Sequence, residues 1–324
     1  MSVPVLIAAL IAGFLVLIFA GDALVRGAAA LARRGGVPPL VVGLTIVAFG
    51  TSAPELFVSI QAVLSGAPRL AMGNVVGSNI ANILLVLSIP ALFAPIPTRA
   101  DGVRHNTVIM VIASIIFFAL SLGGAIGLWQ GGVLVAGIVA YLILQSLRAR
   151  ASRDAADIRE LVEIDDMEGM PDTWRKIWTF IAVGVVGLPL GGWLIVTGGV
   201  GIADAMAIPR EFVGLTAVAF GTSLPELATS VIAAVRKHAD VAIGNVVGSN
   251  VFNIFAVGGA IGLAGGAPVP DTFFSLDFPV MMGAALVLLV IVLLGRRIGW
   301  ATGAIFGVAY LTYLFVLARV EGLL

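Results

Sequence analysis

The chain has 324 residues, of which 60% are hydrophobic and only 11% charged, with no cysteine. A soluble domain carries roughly 25% charged residues. Composition therefore excludes a soluble enzyme, a nucleic-acid binder and a disordered chain, and it makes lipid the main solvent. The net charge of zero gives no global field for a polyanionic partner, and the lack of cysteine excludes disulfides and thiolate metal sites.

Apolar stretches run at 4–32, 37–64, 71–94, 105–123 and 126–147. After a polar stretch they resume at 175–199, 212–235, 241–265, 275–295 and 299–318. A spanning helix takes about 20 residues. The stretches are continuously apolar rather than alternating, which argues for helices and against a barrel. The expected fold is an all-α polytopic membrane protein with ten transmembrane helices. The first stretch has no basic residues ahead of it and is too long for a signal peptide, so it is read as a retained span. His105 and His238 lie beside Arg or Lys near expected span ends and are read as solvated.

The basic residues set the expected orientation. With the N-terminus outside, fifteen of the eighteen Lys and Arg fall on the cytoplasmic side, and only Arg69, Arg210 and Arg319 lie outside. Such an excess is the positive-inside pattern, and it puts both termini on the non-cytoplasmic side. The polar stretch 148–174 is then a cytoplasmic linker between residues 1–147 and 175–324, five helices each. Its acids, among them Glu163, Asp165, Asp166 and Glu168, lack the regular spacing and the glycine of an EF-hand loop.

The chain repeats itself. Gly43 to Ile60 reads GLTIVAFGTSAPELFVSI and Gly214 to Val231 reads GLTAVAFGTSLPELATSV, with 13 of 18 positions identical. Gly73 to Ile83 reads GNVVGSNIANI and Gly244 to Ile254 reads GNVVGSNVFNI, with 9 of 11 identical. Both pairs are 171 residues apart, which marks a duplication. Five spans per half would make the second half enter the membrane from the opposite side. Inverted repeats with broken spans are a mark of secondary transporters, whose site lies at the midplane.

The repeated segments are also the polar ones. Pro54 cannot donate to the carbonyl of Gly50, nor Pro225 to that of Gly221, so each span should kink and bare carbonyls at membrane depth. Thr51 and Ser52 precede Glu55 by four and three residues, as Thr222 and Ser223 precede Glu226, so hydroxyls and carboxylate are expected on one helix face. A carboxylate at the bilayer centre costs on the order of 3 kcal/mol uncompensated. None of the four repeated segments contains Lys, Arg or His. The glutamates must therefore be protonated or matched by a mobile cation. All neighbouring donors are hard oxygens, which suit Ca²⁺ and Na⁺. Asn74, Ser78 and Asn82, spaced by four, form one stripe, and Asn245, Ser249 and Asn253 repeat it. Gly73, Gly77, Gly244 and Gly248 are expected to let these helices pack closely. Asn74, Asn79, Asn245 and Asn250 are open to two readings, cation ligands or helix glue.

These paired motifs, GTSxPE and GNVxGSNxxN in two halves, resemble the cation/Ca²⁺ exchanger superfamily, most closely its prokaryotic Na⁺/Ca²⁺ exchanger branch. The resemblance implies a carrier rather than an enzyme, with Ca²⁺ and Na⁺ as transported substrates and no resident cofactor. It implies antiport by alternating access in a prokaryotic inner membrane, with net charge moved per cycle and no obligate protein partner. Carried over by position, Glu55 and Glu226 are the central ligands, and Thr51 and Thr222 serve both ion types. The Ala48 carbonyl, Ser52 and Ser78 form a cytoplasmic-side Na⁺ site; the Ala219 carbonyl, Ser223 and Ser249 form an outer one; Asn82 and Asn253 face the middle. K⁺-dependent relatives carry a carboxylate where this chain has Asn253, so the resemblance implies K⁺ independence. The alternative is H⁺/Ca²⁺ exchange on the same two glutamates.

Overall fold

A computed structural model of the chain describes residues 2–35, 39–64, 66, 68–99, 102–154, 171–205, 219–236 and 238–320. The protein is almost wholly helical. In chain order the helices are α1 (Val3–Gly35), the bent pair α2 (Gly43–Thr51) and α3 (Ala53–Leu64), α4 (Pro68–Phe93), α5 (Val103–Ser121) and α6 (Leu128–Asp154). The second half holds α7 (Trp174–Ala205), α8 (Ala219–Thr222), α9 (Leu224–Val235), α10 (Ala239–Leu263), α11 (Phe273–Leu293) and α12 (Trp300–Val320). Among the described residues, seven helices are long and apolar enough to cross a membrane, and the α2–α3 pair makes an eighth if its two arms form one span.

The described helices follow the expected stretches with shifts of a few residues. The largest is at α6, which continues to Asp154, well into the polar stretch. The acids Glu163, Asp165, Asp166 and Glu168 lie outside the described residues. Beyond them, Arg34 at the end of α1 donates to the carbonyl of Asp172 and sits 5.6 Å over the Trp174 ring.

Lipid as solvent explains the exterior. Phe57, Trp129 and Trp300 are 71%, 66% and 72% exposed, an arrangement that a water-facing surface does not sustain. Inside, two apolar clusters form. One joins α4, α5, α6, α10, α11 and α12 around Met72, Ile80, Phe117, Leu134, Phe278 and Tyr313. Phe118 and Phe278 meet edge-on at 5.4 Å, which pins α5 to α11. The other joins α1, α2, α7 and α9 to the start of α10 around Leu24, Val47, Ile181 and Leu188. Leu227, next to Glu226, packs against both, so the polar motifs sit at the seam between the clusters.

Close helix crossings need missing side chains. A Cβ at Gly184 of α7 would stand 2.4 Å from Leu24 Cβ of α1, so these two long helices touch backbone to backbone. A Cβ at Gly248 would stand 2.7 Å from the carbonyl oxygen of Leu44, which lets α10 lie directly on α2. Gly73 and Gly77, expected to do the same in the first half, meet no described atom within 4 Å. The counterpart of Leu44, position 215, lies outside the described residues.

Two features carry the 171-residue offset into three dimensions. A π-helical turn occupies Asn82–Val86 in α4, and another occupies Asn253–Val257 in α10. Short antiparallel pairings also recur. Ile96 bridges Ile298, while Ala267, 171 residues after Ile96, pairs with Ile126.

Candidate functional site

The site is built around two helix breaks. α2 ends at Thr51 and α3 begins at Ala53, with a bend of 46° between them. Ser52 at the break has φ −86° and ψ 5°, and Ser223, at the break between α8 and α9, has φ −84° and ψ 0°. Proline two residues beyond each serine supplies no N–H, so the helix restarts rather than continues. The chain still closes around the break: Leu56 N–H donates to Ser52 O at 3.2 Å and Leu227 N–H to Ser223 O at 3.0 Å. Each break places a glutamate in the first turn of the following helix, and Glu55 and Glu226 are 1% and 0% exposed.

The bend changes what the hydroxyls reach. Sequence spacing puts Thr51 and Ser52 beside Glu55, but both turn to the other half of the chain. Ser52 Oγ donates to Glu226 Oε1 at 2.9 Å. Thr51 Oγ1 donates to Asn245 Oδ1 at 3.1 Å, and lies 3.4 Å from Ser249 Oγ and 3.3 Å from the carbonyl of Ala48. Thr222 Oγ1 donates to Asn74 Oδ1 at 3.3 Å. The motifs of the two halves are thus interlocked across the seam.

Several buried side-chain groups of the repeated motifs have hydrogen-bonding capacity unspent. Neither carboxylate oxygen of Glu55 has a hydrogen-bond partner, nor does Glu226 Oε2. The same holds for Ser78 Oγ, Ser223 Oγ and both amide atoms of Asn82 and of Asn253. Leaving one such neutral group unsatisfied costs about 1–3 kcal/mol, and more for a charged one. Burying an uncompensated carboxylate against lipid is costlier still. These atoms lie on the repeated motifs. Among the described residues no group of three or more His, Cys, Asp or Glu could hold a metal. Two carboxylates with neutral oxygens form instead a hard-donor set of low charge.

The expected residues divide as follows. Glu55, Glu226, Thr51, Thr222, Ser52, Ser223, Ser78, Ser249, Asn82 and Asn253 are all buried. Ala48 is buried and its carbonyl also accepts the Ser52 N–H at 3.0 Å. Ala219 begins α8, but the residues before it, 206–218, lie outside the description. Asn79 Nδ2 bonds Val75 O at 2.7 Å in its own helix and Asn250 Nδ2 bonds Asn79 O at 3.4 Å, while the amide oxygen of each is buried without a hydrogen-bond partner. The pair that sequence reasoning missed is Ser59 and Ser230, which accept from Asn74 Nδ2 at 2.9 Å and from Asn245 Nδ2 at 3.1 Å. Both stand one turn beyond a motif glutamate and are identical in the duplicated block.

Comparison with known proteins places these features in context. A model of the family described as "Sodium/calcium exchanger protein" matches residues 5–147 and 176–319. The inner membrane protein YrbG of Escherichia coli is 36% identical over 280 residues, 85% of each chain. The putative antiporter CaxA of Alkalimonas amylolytica is 34% identical over 310 residues, 94% of this chain and 96% of its own. A sodium/calcium exchanger of Methanosarcina acetivorans is 30% identical over 339 residues, 95% of this chain and 97% of its own. Among solved structures, the sodium-calcium exchanger NCX_Mj soaked with 2.5 mM Na⁺ and 0.1 mM Ca²⁺ superposes with a TM-score of 0.83, at 27% identity and over 96% of this chain and 97% of that one.

Proposed function

The chain belongs to the sodium/calcium exchanger protein family, and from that premise we propose that it exchanges Na⁺ for Ca²⁺ by alternating access, at one shared site centred on Glu55 and Glu226. It is an integral membrane protein of a cation/Ca²⁺ antiporter family. The observation that carries the finer reading is the set of buried carboxylate oxygens without partners on Glu55 and Glu226. Two carboxylates match the charge of one Ca²⁺. Na⁺ ions would neutralise the same pair with help from the neutral donors of Thr51, Ser52, Ser78 and Asn82, and of Thr222, Ser223, Ser249 and Asn253. The carbonyls of Ala48 and Ala219 complete the proposed ligand set.

Antiport follows from this electrostatics. Ca²⁺ and Na⁺ compete for the same two charges, so one species occupies the site at a time. An empty site leaves two carboxylates uncompensated against lipid, at a cost on the order of 3 kcal/mol or more for each. That cost disfavours crossing between access states without cargo, so the carrier returns loaded. With neutral Asn253, no third carboxylate is present to hold K⁺, so exchange is K⁺-independent, and it is electrogenic where more than two Na⁺ move per Ca²⁺. The proposed topology has ten crossings in two inverted halves, both termini outside, and residues 148–174 on the cytoplasmic side of a prokaryotic inner membrane. The repeated breaks and π-helical turns support the two-repeat part of that reading.

The test is ⁴⁵Ca²⁺ uptake into proteoliposomes. An outward Na⁺ gradient should drive uptake, and K⁺ should leave the rate unchanged. Uptake driven by a pH gradient and indifferent to Na⁺ would assign the site to H⁺/Ca²⁺ exchange instead.

A further inference from the structure

Two hydrogen-bond relays cross the seam, and each joins a threonine of one half to an asparagine of the other. In the first, Thr222 Oγ1 lies 3.3 Å from Asn74 Oδ1, while Asn74 Nδ2 lies 3.2 Å from the Glu55 carbonyl and 2.9 Å from Ser59 Oγ. In the second, Thr51 Oγ1 lies 3.1 Å from Asn245 Oδ1, while Asn245 Nδ2 lies 3.3 Å from the Glu226 carbonyl and 3.1 Å from Ser230 Oγ. Every residue of one relay sits 171 positions from its counterpart. All eight residues are buried.

The chemistry fixes the direction of each bond. A backbone carbonyl only accepts, so the asparagine must present its NH₂ to Glu55 O or Glu226 O. The amide oxygen then faces the threonine, and the hydroxyl must donate to it. A hydroxyl has one proton and two lone pairs. Once the proton is spent on asparagine, only lone pairs remain for other neighbours. Thr51 also has the Ala48 carbonyl at 3.3 Å as an acceptor, and donation to either oxygen keeps its proton away from a cation. A cation ligand must offer a lone pair and must not point its proton at the ion. The same asparagine also holds the carbonyl that follows a motif glutamate side chain in the helix.

We propose that Asn74 and Asn245 are positioning residues, not ligands: each locks the hydroxyl of the opposite half's threonine as a lone-pair donor for the cation while tethering its own half's glutamate backbone. The inference rests on the proposed exchange function and adds to it. Each relay ties one half's carboxylate turn to the other half's hydroxyl, so ion binding in one half is felt directly in the other.

The crossed connectivity gives a test that a merely structural role does not pass. Thr222→Val and Asn74→Ala are made singly and together, and the half-saturating Na⁺ concentration for exchange is measured in proteoliposomes. The unlinked pairing, Thr222→Val with Asn245→Ala, is measured alongside. Contacting residues show interaction energies of about 0.5–3 kcal/mol. The linked pair should therefore depart from additivity by about threefold or more, and by clearly more than the unlinked pair. Thr222→Ser, which keeps the hydroxyl, should bring half-saturating Na⁺ closer to wild type than Thr222→Val does. Equal departures in both pairings, or additivity in the linked one, overturns the proposal. For any variant without flux, Na⁺ displacement of bound ⁴⁵Ca²⁺ from purified protein supplies the same cycle. A wild-type protein that exchanges but shows no crossed coupling refutes the relay alone. A wild-type protein that shows no Na⁺-driven exchange refutes the functional reading instead.

Discussion

Replacing Gly248 by alanine tests whether the site depends on the direct contact between α10 and α2. The new Cβ would stand 2.7 Å from Leu44 O, 2.8 Å from Leu44 Cα and 2.8 Å from Ala48 Cβ. Ordinary contact begins at 3.4 Å, so the backbones must part by up to 0.7 Å, the difference between 3.4 and 2.7. Two of the three atoms are backbone and cannot rotate away. Thr51, three residues beyond Ala48, is held 3.1 Å from Asn245, and the same displacement stretches that bond past hydrogen-bonding range. Overpacking costs about 1–3 kcal/mol, and the lost hydrogen bond adds about 1 kcal/mol. The stability loss is read as a lowered melting temperature of the purified protein. The hydrogen-bond loss is read as a rise of about fivefold in half-saturating Na⁺. Gly283→Ala in α11, where a Cβ meets no described atom within 4 Å, is the control and should leave Na⁺ affinity unchanged without lowering the melting temperature. Wild-type melting and wild-type Na⁺ affinity in Gly248→Ala would refute the close-crossing argument.

Three other outcomes are expected. Glu55→Gln and Glu226→Gln should each reduce Na⁺-driven ⁴⁵Ca²⁺ uptake by more than about a hundredfold, because one carboxylate cannot balance a divalent ion in lipid; substantial flux in either variant counts against the shared site. Pro225→Ala restores a backbone donor at the second break, so it should straighten α8 into α9 and lower Ca²⁺ affinity, as measured by equilibrium binding; unchanged affinity would show that proline does not set the site geometry. Asn253→Asp adds a third carboxylate, so exchange should become stimulated by K⁺ in a K⁺ titration of uptake rate. An identical rate across that titration would remove the argument linking Asn253 to K⁺ independence.

Much of the site was legible in the chain because duplication exposes it. Glu55 and Glu226 stand out as acids in segments without any basic residue, and the serines and asparagines around them recur at the same offset. Composition alone made lipid the solvent, which is why an uncompensated carboxylate carries meaning. Three things were not legible. Spacing along a helix puts Thr51 and Ser52 beside their own glutamate, but the 46° bend sends them to the other half. The π-helical turns starting at Asn82 and Asn253 have no residue signature, since one extra residue in a turn leaves the local composition unchanged. Ser59 and Ser230 looked like ordinary helix residues, because their role appears only when the asparagines of the next helix face them. The residues before Ala219 complete the second break in sequence only, and the mirrored crossing at position 215 lies outside the described structure.

The central claim is that Ca²⁺ and Na⁺ occupy one site built on two glutamates. Equilibrium binding of ⁴⁵Ca²⁺ to the purified protein, titrated with Na⁺ at constant ionic strength, tests it most directly. The account predicts complete competitive displacement by Na⁺, no displacement by K⁺, and loss of high-affinity Ca²⁺ binding in Glu55→Gln and in Glu226→Gln. Bound Ca²⁺ that Na⁺ fails to displace, or that survives in both variants, would contradict it.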